Sequence, residues 1–282
     1  MATFYNQATL SYRGGSVNSN IVTAELVEAL TVTKTSLLEN YGSGERMTYV
    51  IGIVNSSDAP ISTLTLTDDL GAYPFGTDTV YPLSYVNGSA KAFINGVPAT
   101  DPTVTSTEPL TLTGITVPAN GETVVVYSAD VTAYAPPAPD GTIVNTVTVN
   151  GAGAPVTATE TITARSGASL TITKSIEPQS VVGEGPLTYT FVIQNLGNEE
   201  AGADENIVVN DVFDPILNIT GVTLDGVTLI EGTDYTYDEA TGTFTTTAGR
   251  ITVPAATYEQ DPVTGVYTVI PGSVTLTVTG TI

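Results

Sequence analysis

Three residue types that can react with one another recur at matching places in this chain. Lys34 ends residues 30–34 (LTVTK), and Lys174 ends residues 170–174 (LTITK). Asp68 closes residues 64–68 (LTLTD), as Asp211 closes residues 207–211 (IVVND). Asn145 lies in residues 143–149 (IVNTVTV), and Asn6 in residues 4–10 (FYNQATL). Successive side chains of a strand point to opposite faces. Leu30, Val32 and Lys34 therefore share a face, as do Leu170, Ile172 and Lys174. The same holds for Leu64, Leu66 and Asp68, for Ile207, Val209 and Asp211, for Ile143, Asn145, Val147 and Val149, and for Phe4, Asn6, Ala8 and Leu10. Lysine, carboxyl and carboxamide all aim at one apolar core. The chain has three lysines, and two of them stand at this position.

An isolated buried ammonium costs several kcal/mol, so it shifts its pKa or finds a partner. Three outcomes are open. The lysine snorkels to water from the strand end; it forms a buried pair with the aspartate, with asparagine satisfying the remaining hydrogen bonds; or it joins the asparagine in an isopeptide bond. The last needs a lysine made neutral by an apolar site, a carboxamide as electrophile and a carboxyl of raised pKa to move protons. The candidates are Lys34, Asp68 and Asn145 in one set, and Lys174, Asp211 and Asn6 in the other. Asn55 and Asn195 share the inward parity of their strands and compete as the amide.

The elements that must position these residues form a repeat cut out of phase. Residues 47–55 (MTYVIGIVN) return as residues 187–195 (LTYTFVIQN), and residues 115–119 (ITVPA) as residues 251–255 (ITVPA). The first copy continues into a strand pair over residues 143–164, for which the second copy has no counterpart before Ile282. Residues 4–26 (FYNQATLSYRGGSVNSNIVTAEL) carry the missing pattern at the other end of the chain. Asn6 precedes Lys34 by 28 positions (34 − 6), and Asn145 precedes Lys174 by 29 (174 − 145).

Strand periodicity dominates, broken by turn signals at Asn95-Gly, Asn120-Gly, Asp140-Gly, Asn150-Gly and Asp225-Gly. Residues 24–30 (AELVEAL) come nearest to helical spacing and are expected to be a connector of about one turn. With about seven short strands per copy, the fold class is all-β: two tandem immunoglobulin-like β-sandwiches plus an N-terminal β-hairpin acting as donor strands. The expected division is 1–29 for the donor hairpin, 30–165 for a complete sandwich and 166–282 for a sandwich completed by the next subunit.

Composition narrows the function. Of 282 residues, 7 are basic and 29 acidic, for a net charge of −22. Phosphate binding needs clustered Lys and Arg, which argues against nucleic acid and against an anionic membrane surface. No apolar run is long enough to span a bilayer, so membrane insertion is not expected. Cysteine is absent, which removes disulfides and thiolate metal sites. Histidine is absent too, and with it the usual base, the Ser-His-Asp triad and imidazole ligation. No enzyme activity is expected beyond autocatalytic isopeptide formation, and no cofactor. Asp68 and Asp69 are strand neighbours facing opposite ways. Residues 199–205 (EEAGADE) lack the spacing of a calcium loop and read as a solvated loop. The first residues, MATFYNQ, do not form a signal peptide; export is expected to be encoded elsewhere, or the protein to be freed on cell lysis.

Lys34, Thr48 to Asn55, Thr67-Asp68 and Asn145 to Val149 together resemble a repeat domain of unknown function found in many bacterial and archaeal surface proteins. Its pattern is a lysine-containing first strand, a TYxIxVxN strand, a TD strand and a closing NTATV strand. The resemblance covers nearly the whole chain, twice. The chain is also similar to proteins of clostridial spore appendages, which implies a cell- or spore-surface filament released by lysis. The autocatalytic bond is likewise known from bacterial pilins and adhesins.

The expected function is a structural filament subunit whose partner is itself, in a head-to-tail homopolymer. The N-terminal hairpin would enter the second domain of a neighbour through Phe4, Asn6, Ala8, Leu10, Tyr12, Val22 and Leu26. The alternative is a monomeric surface adhesin with a binding loop. A monomeric binder has no use for the closing strands of another domain, and reaching its own second domain would force the two sandwiches to double back at residues 165–169.

Overall fold

A computed structural model describes residues 2–26, 29–183 and 185–282. The chain is all-β: the only helical turn among the described residues is a 3-10 segment at Ala203–Glu205. Two hydrophobic cores are present. One is drawn from residues between Leu30 and Ala164, the other from residues between Leu187 and Val278.

Two sheets face each other in the first sandwich. The lysine sheet runs Val97–Pro98, Lys91–Ile94, Gly121–Val131, Arg46–Asn55, Leu30–Ser36, with Leu83–Tyr85 also on Gly121–Val131. The aspartate sheet runs Thr103–Thr107, Leu110–Val117, Ile61–Asp68, Thr142–Asn150, Val156–Ala164, Asn40–Tyr41. Alternation fills the space between them: Met47, Tyr49, Ile51 and Ile53 from one side meet Leu64, Leu66, Val147 and Val149 from the other, all buried. Asn95 and Asn120 carry the left-handed conformation their tight turns demand, and Gly96 follows Asn95 with positive φ. Each copy holds more strands than seven, because short hairpins are inserted between the repeated ones.

The second sandwich repeats this plan and stops short. Its lysine sheet runs Leu170–Glu177, Pro186–Asn195, Gly272–Thr281, Asn218–Leu224, Val227–Thr228. Its aspartate sheet runs only Asn210–Val212, Thr243–Thr246, Tyr235–Asp238. The aspartate strand of the first domain lies between Leu110–Val117 and Thr142–Asn150. Its counterpart Asn210–Val212 is paired on one side only, with Thr243–Thr246. The expected strand over residues 207–211 is reduced to Asn210–Val212, with Val209 before it tied to Thr246 through its backbone N–H at 2.8 Å and its carbonyl at 3.0 Å.

Exposure records the difference in cover. Leu30 and Val32 are 5% and 8% exposed, whereas their counterparts Leu170 and Ile172 are 41% and 53% exposed. In the first domain the strand Val156–Ala164 crosses the lysine strand, and Glu160 Oε1 accepts the Ser36 backbone N–H at 3.2 Å. The apolar parity is the same in both copies; the cover differs.

The cover's pattern sits on a separate hairpin. Ala2–Asn6 pairs with Val22–Leu26, and Thr9–Tyr12 with Gly15–Asn18. Every described side chain from Thr3 to Ala24 is exposed, including Phe4, Asn6, Ala8, Leu10, Tyr12 and Val22. The hairpin therefore does not fold back onto the second domain of its own chain. Contrary to the helical spacing, residues 24–26 of the connector are strand; residues 27–28 and the side chain of Leu26 lie outside the described residues.

The sandwiches meet around Arg165. Asn198 Nδ2 donates to the carbonyls of Pro137 and Arg165 at 3.1 and 3.0 Å, and the Tyr267 N–H donates to the Ala133 carbonyl at 2.9 Å. A cleft at this joint is lined by Tyr41, Arg165, Asn198, Tyr258 and Tyr267.

The imbalance between the domains is measurable. A fragment of residues 30–165 should melt in one sharp transition. A fragment of residues 166–282 should lack a cooperative melt until a peptide of residues 2–28 is added, as followed by circular dichroism. A cooperative melt of 166–282 alone would show that the domain is already whole.

Candidate functional site

Lys34 comes from the edge of the lysine sheet, and Asp68 and Asn145 come from adjacent strands of the aspartate sheet. All three are buried. Lys34 Nζ donates to Asp68 Oδ2 at 2.7 Å, with both side chains fully shielded from water. The lysine therefore does not snorkel. Asp68 Oδ1 also accepts the Leu70 backbone N–H at 3.1 Å, which holds the carboxyl at the strand end.

Two tyrosines complete the cluster, and the sequence reading passed over both. Asn145 Nδ2 donates to the Tyr127 hydroxyl at 3.2 Å. Tyr127 stacks on Tyr49 with ring centroids 5.4 Å apart, and the Lys34 ammonium sits 5.0 Å from the Tyr49 ring centre. The alternation that turned Met47, Ile51 and Ile53 inward also turns Tyr49 inward, so the signal was present in the sequence. Two buried polar atoms here have no hydrogen-bond partner among the described residues: the Tyr49 hydroxyl and Asn145 Oδ1. An unsatisfied buried acceptor costs about 1–3 kcal/mol, so the unreacted cluster is an expensive arrangement to keep.

Burial sets the protonation. It lowers the Lys34 pKa, against the opposing pull of Asp68. It raises the Asp68 pKa, again with Lys34 opposing. Burial, reinforced by the Asp68 charge, also holds the Tyr127 hydroxyl protonated far above its usual range. Both halves of the ion pair are pushed toward their neutral forms, which one proton moving from Nζ to the carboxyl achieves. An amine and a carboxyl that burial biases toward their neutral forms, and a carboxamide whose carbonyl oxygen has no partner among the described residues, thus share one sealed core.

The competing asparagines do other work. Asn55 Nδ2 donates to the Ala59 and Pro118 carbonyls at 2.8 and 3.0 Å, and its Oδ1 accepts from Ser57. Asn195 does the equivalent, donating to the Glu199 carbonyl at 2.7 Å and accepting from the Ser169 and Gly197 N–H groups. Both are loop clamps with every group engaged, which leaves Asn145 as the amide facing the lysine core.

In the second domain, Lys174 and Asp211 again form an ion pair. The ammonium lies over Tyr189 at 4.6 Å, with Phe191 and Phe213 each at 5.4 Å. Here the lysine side chain is 40% exposed and the aspartate 17%. Asn6 stands on the exposed hairpin, and among the described residues no hydrogen bond joins it to either. Two of the three groups are in place, with the side toward the third open to water. No group of three or more His, Cys, Asp or Glu side chains placed to hold a metal ion occurs among the described residues. No helix of the described residues is long and apolar enough to cross a membrane.

No protein-family model matches the chain, and no curated relative does. Among solved structures it is similar to the pilus backbone protein RrgB of Streptococcus pneumoniae, at 13% identity and a TM-score of 0.35, over 86% of this chain and 55% of that one. It is also similar to BcpA, the major pilin subunit of Bacillus cereus, at 12% identity and a TM-score of 0.36, over 96% and 73%. A third is ACE19, the collagen-binding subdomain of the Enterococcus faecalis surface protein ACE, at 9% identity and a TM-score of 0.30, over 50% and 99%. The chain thus spans about half the length of the streptococcal pilin. At such scores the likeness settles neither assembly nor chemistry in this chain.

The buried pair makes a distinct energetic demand. In an Asn145→Ala background, where no amide electrophile is present, Lys34→Ala should cost about 3–5 kcal/mol by stranding a buried carboxyl. Replacing both partners, Lys34→Met with Asp68→Leu, should cost much less. Urea unfolding of residues 30–165 measures both; equal losses would mean that the charges do not act as a pair.

Proposed function

We propose that this protein is a structural subunit of an extracellular filament that polymerises head-to-tail by donating its N-terminal hairpin to the second domain of a neighbour. The observation that carries the reading is the contrast in cover. The first domain buries its lysine face beneath two strands. The second leaves the same face open, and an exposed hairpin of the matching pattern hangs from the same chain. Donation adds strands to the free edge of Asn210–Val212 by β-augmentation. The donor and acceptor surfaces differ and do not close on themselves, so the product is a filament. A cell or spore surface is its proposed location, on the strength of the repeated motifs in the sequence.

Magnitudes say what must hold the joint. Fully burying Phe4, Leu10, Leu170 and Ile172 contributes about 6–12 kcal/mol at most, at about 1.5–3 kcal/mol each. Association costs about 4–15 kcal/mol. Apolar burial alone leaves little surplus, and the edge hydrogen bonds add about 0.5–1.5 kcal/mol apiece. A covalent lock would make the joint permanent.

The proposed lock is an isopeptide bond, Lys34 to Asn145 within the first domain and Lys174 to Asn6 of the next subunit in the second. The ammonium gives a proton to the aspartate carboxylate. The freed Nζ lone pair attacks Cγ of the asparagine, the aspartic acid gives its proton to the departing amide nitrogen, and the carboxylate so regenerated takes the second proton from Nζ, leaving a neutral amide and a protonated carboxyl. One C–N bond forms, one breaks, and ammonia leaves, with no change of oxidation state. Each bond constrains the unfolded chain as a cross-link does, by about 2–4 kcal/mol.

Removing residues 1–28 should leave monomers or soluble aggregates by electron microscopy. Fibres of normal width from the truncated chain would refute strand donation. Lys174→Ala or Asn6→Ala should turn a ladder that survives hot detergent into monomers while fibres still form. Intact mass of residues 30–165 should show the loss of one ammonia; an unmodified mass there, together with wild-type fibres that melt to monomers, would leave a polymer held by strands alone.

A further inference from the structure

Tyr127 and Val278 occupy one position of the repeat. Tyr49 lies across from Tyr127 in the first lysine sheet, and Tyr189, the counterpart of Tyr49, lies across from Val278 in the second. The lysine, the aspartate and the ring beneath the lysine are kept in both domains. The second phenol is not. Val278 is buried, as Tyr127 is, so the position is inward in both copies, and the second copy lacks the ring together with its hydroxyl.

In the first domain that hydroxyl accepts the Asn145 amide N–H at 3.2 Å, the only hydrogen bond that the carboxamide side chain makes among the described residues. A primary amide held at its nitrogen cannot spin about the Cβ–Cγ bond, so its carbonyl carbon keeps one orientation. Fixing a reacting group in attack geometry is worth several powers of ten in rate when complete. Stacking on Tyr49, with centroids 5.4 Å apart, in turn fixes the phenol.

We infer that the Tyr127 hydroxyl is a positioning group that holds the Asn145 carboxamide for attack by Lys34, and that the second site, with Val278 in its place, closes more slowly. The inference rests on the isopeptide reading above. Its consequence is an order of events. Each subunit's internal bond forms as its first domain folds, whereas the bond to the neighbour lags behind docking. Until it forms, a hairpin seated in the wrong register can leave and dock again.

The test uses the full-length chain. Intact mass after denaturation follows ammonia loss with time in the wild type and in Tyr127→Phe, both carrying Lys174→Ala so that only the internal site can react. The variant should lose ammonia at least about tenfold more slowly. A purely structural effect is read separately, by comparing the melts of Asn145→Ala with and without Tyr127→Phe: a small difference there beside a large difference in rate supports positioning. Equal rates in the two chains would overturn it, while a wild type that never loses ammonia would remove the isopeptide reading beneath it. In the chain with Lys174 intact, the detergent-resistant ladder should appear well after internal ammonia loss is complete. A ladder that grows in step with that loss would overturn the slower second site.

Discussion

A lysine turned into an apolar core can stay there only if something seals it in and something answers its charge. In the first domain both needs are met: Asp68 pairs with Lys34, and the strands Thr142–Asn150 and Val156–Ala164 cover them. The second domain meets the first need only in part. Its lysine has a carboxylate, yet no strand among the described residues covers that side, and the face of Leu170 and Ile172 stays wet. The shortened aspartate strand and the open site lie on the same uncovered side of that domain.

The same core is what the proposed chemistry would depend on. In water a lysine beside an asparagine is inert, because the amine is protonated and the amide is stable. Burial works against the first obstacle by favouring the neutral pair, and in the proposed reaction the carboxyl paired with the lysine would carry the proton. A domain that seals itself would thus react by itself, whereas one sealed by a neighbour would react only on assembly. In a chain without cysteine or histidine, the proposed bond would be a covalent cross-link that needs neither an oxidant nor a metal.

Much of this was legible in the sequence, because strand alternation is a strong constraint when one face is buried. Parity placed Lys34, Asp68 and Asn145 in one core, and self-similarity located the uncovered copy. What parity does not supply is distance. It could not separate Asn145 from Asn55, since both point inward, and the difference arises from loops that engage every group of Asn55. It also put Tyr49 and Tyr127 inside without revealing that one hydroxyl would meet the Asn145 amide. The connector at residues 24–30 misled because apolar spacing over seven residues suits a helix turn and a strand alike, and cross-strand pairing decided residues 24–26.

Register gives the most direct measurement. In the first domain Thr148 lies opposite Thr67. The equivalents are Thr9 on the hairpin, three residues after Asn6, and Asn210, one residue before Asp211; both are exposed in the single chain. Directly opposed residues bring their Cβ atoms to about 4.5–5.5 Å, within reach of a disulfide, and the chain has no cysteine of its own to interfere. A chain carrying Thr9→Cys and Asn210→Cys, with Lys174→Ala to silence the isopeptide bond, should give a ladder in non-reducing detergent that collapses to monomer on reduction. Fibres that yield only monomers before reduction would contradict hairpin donation in this register.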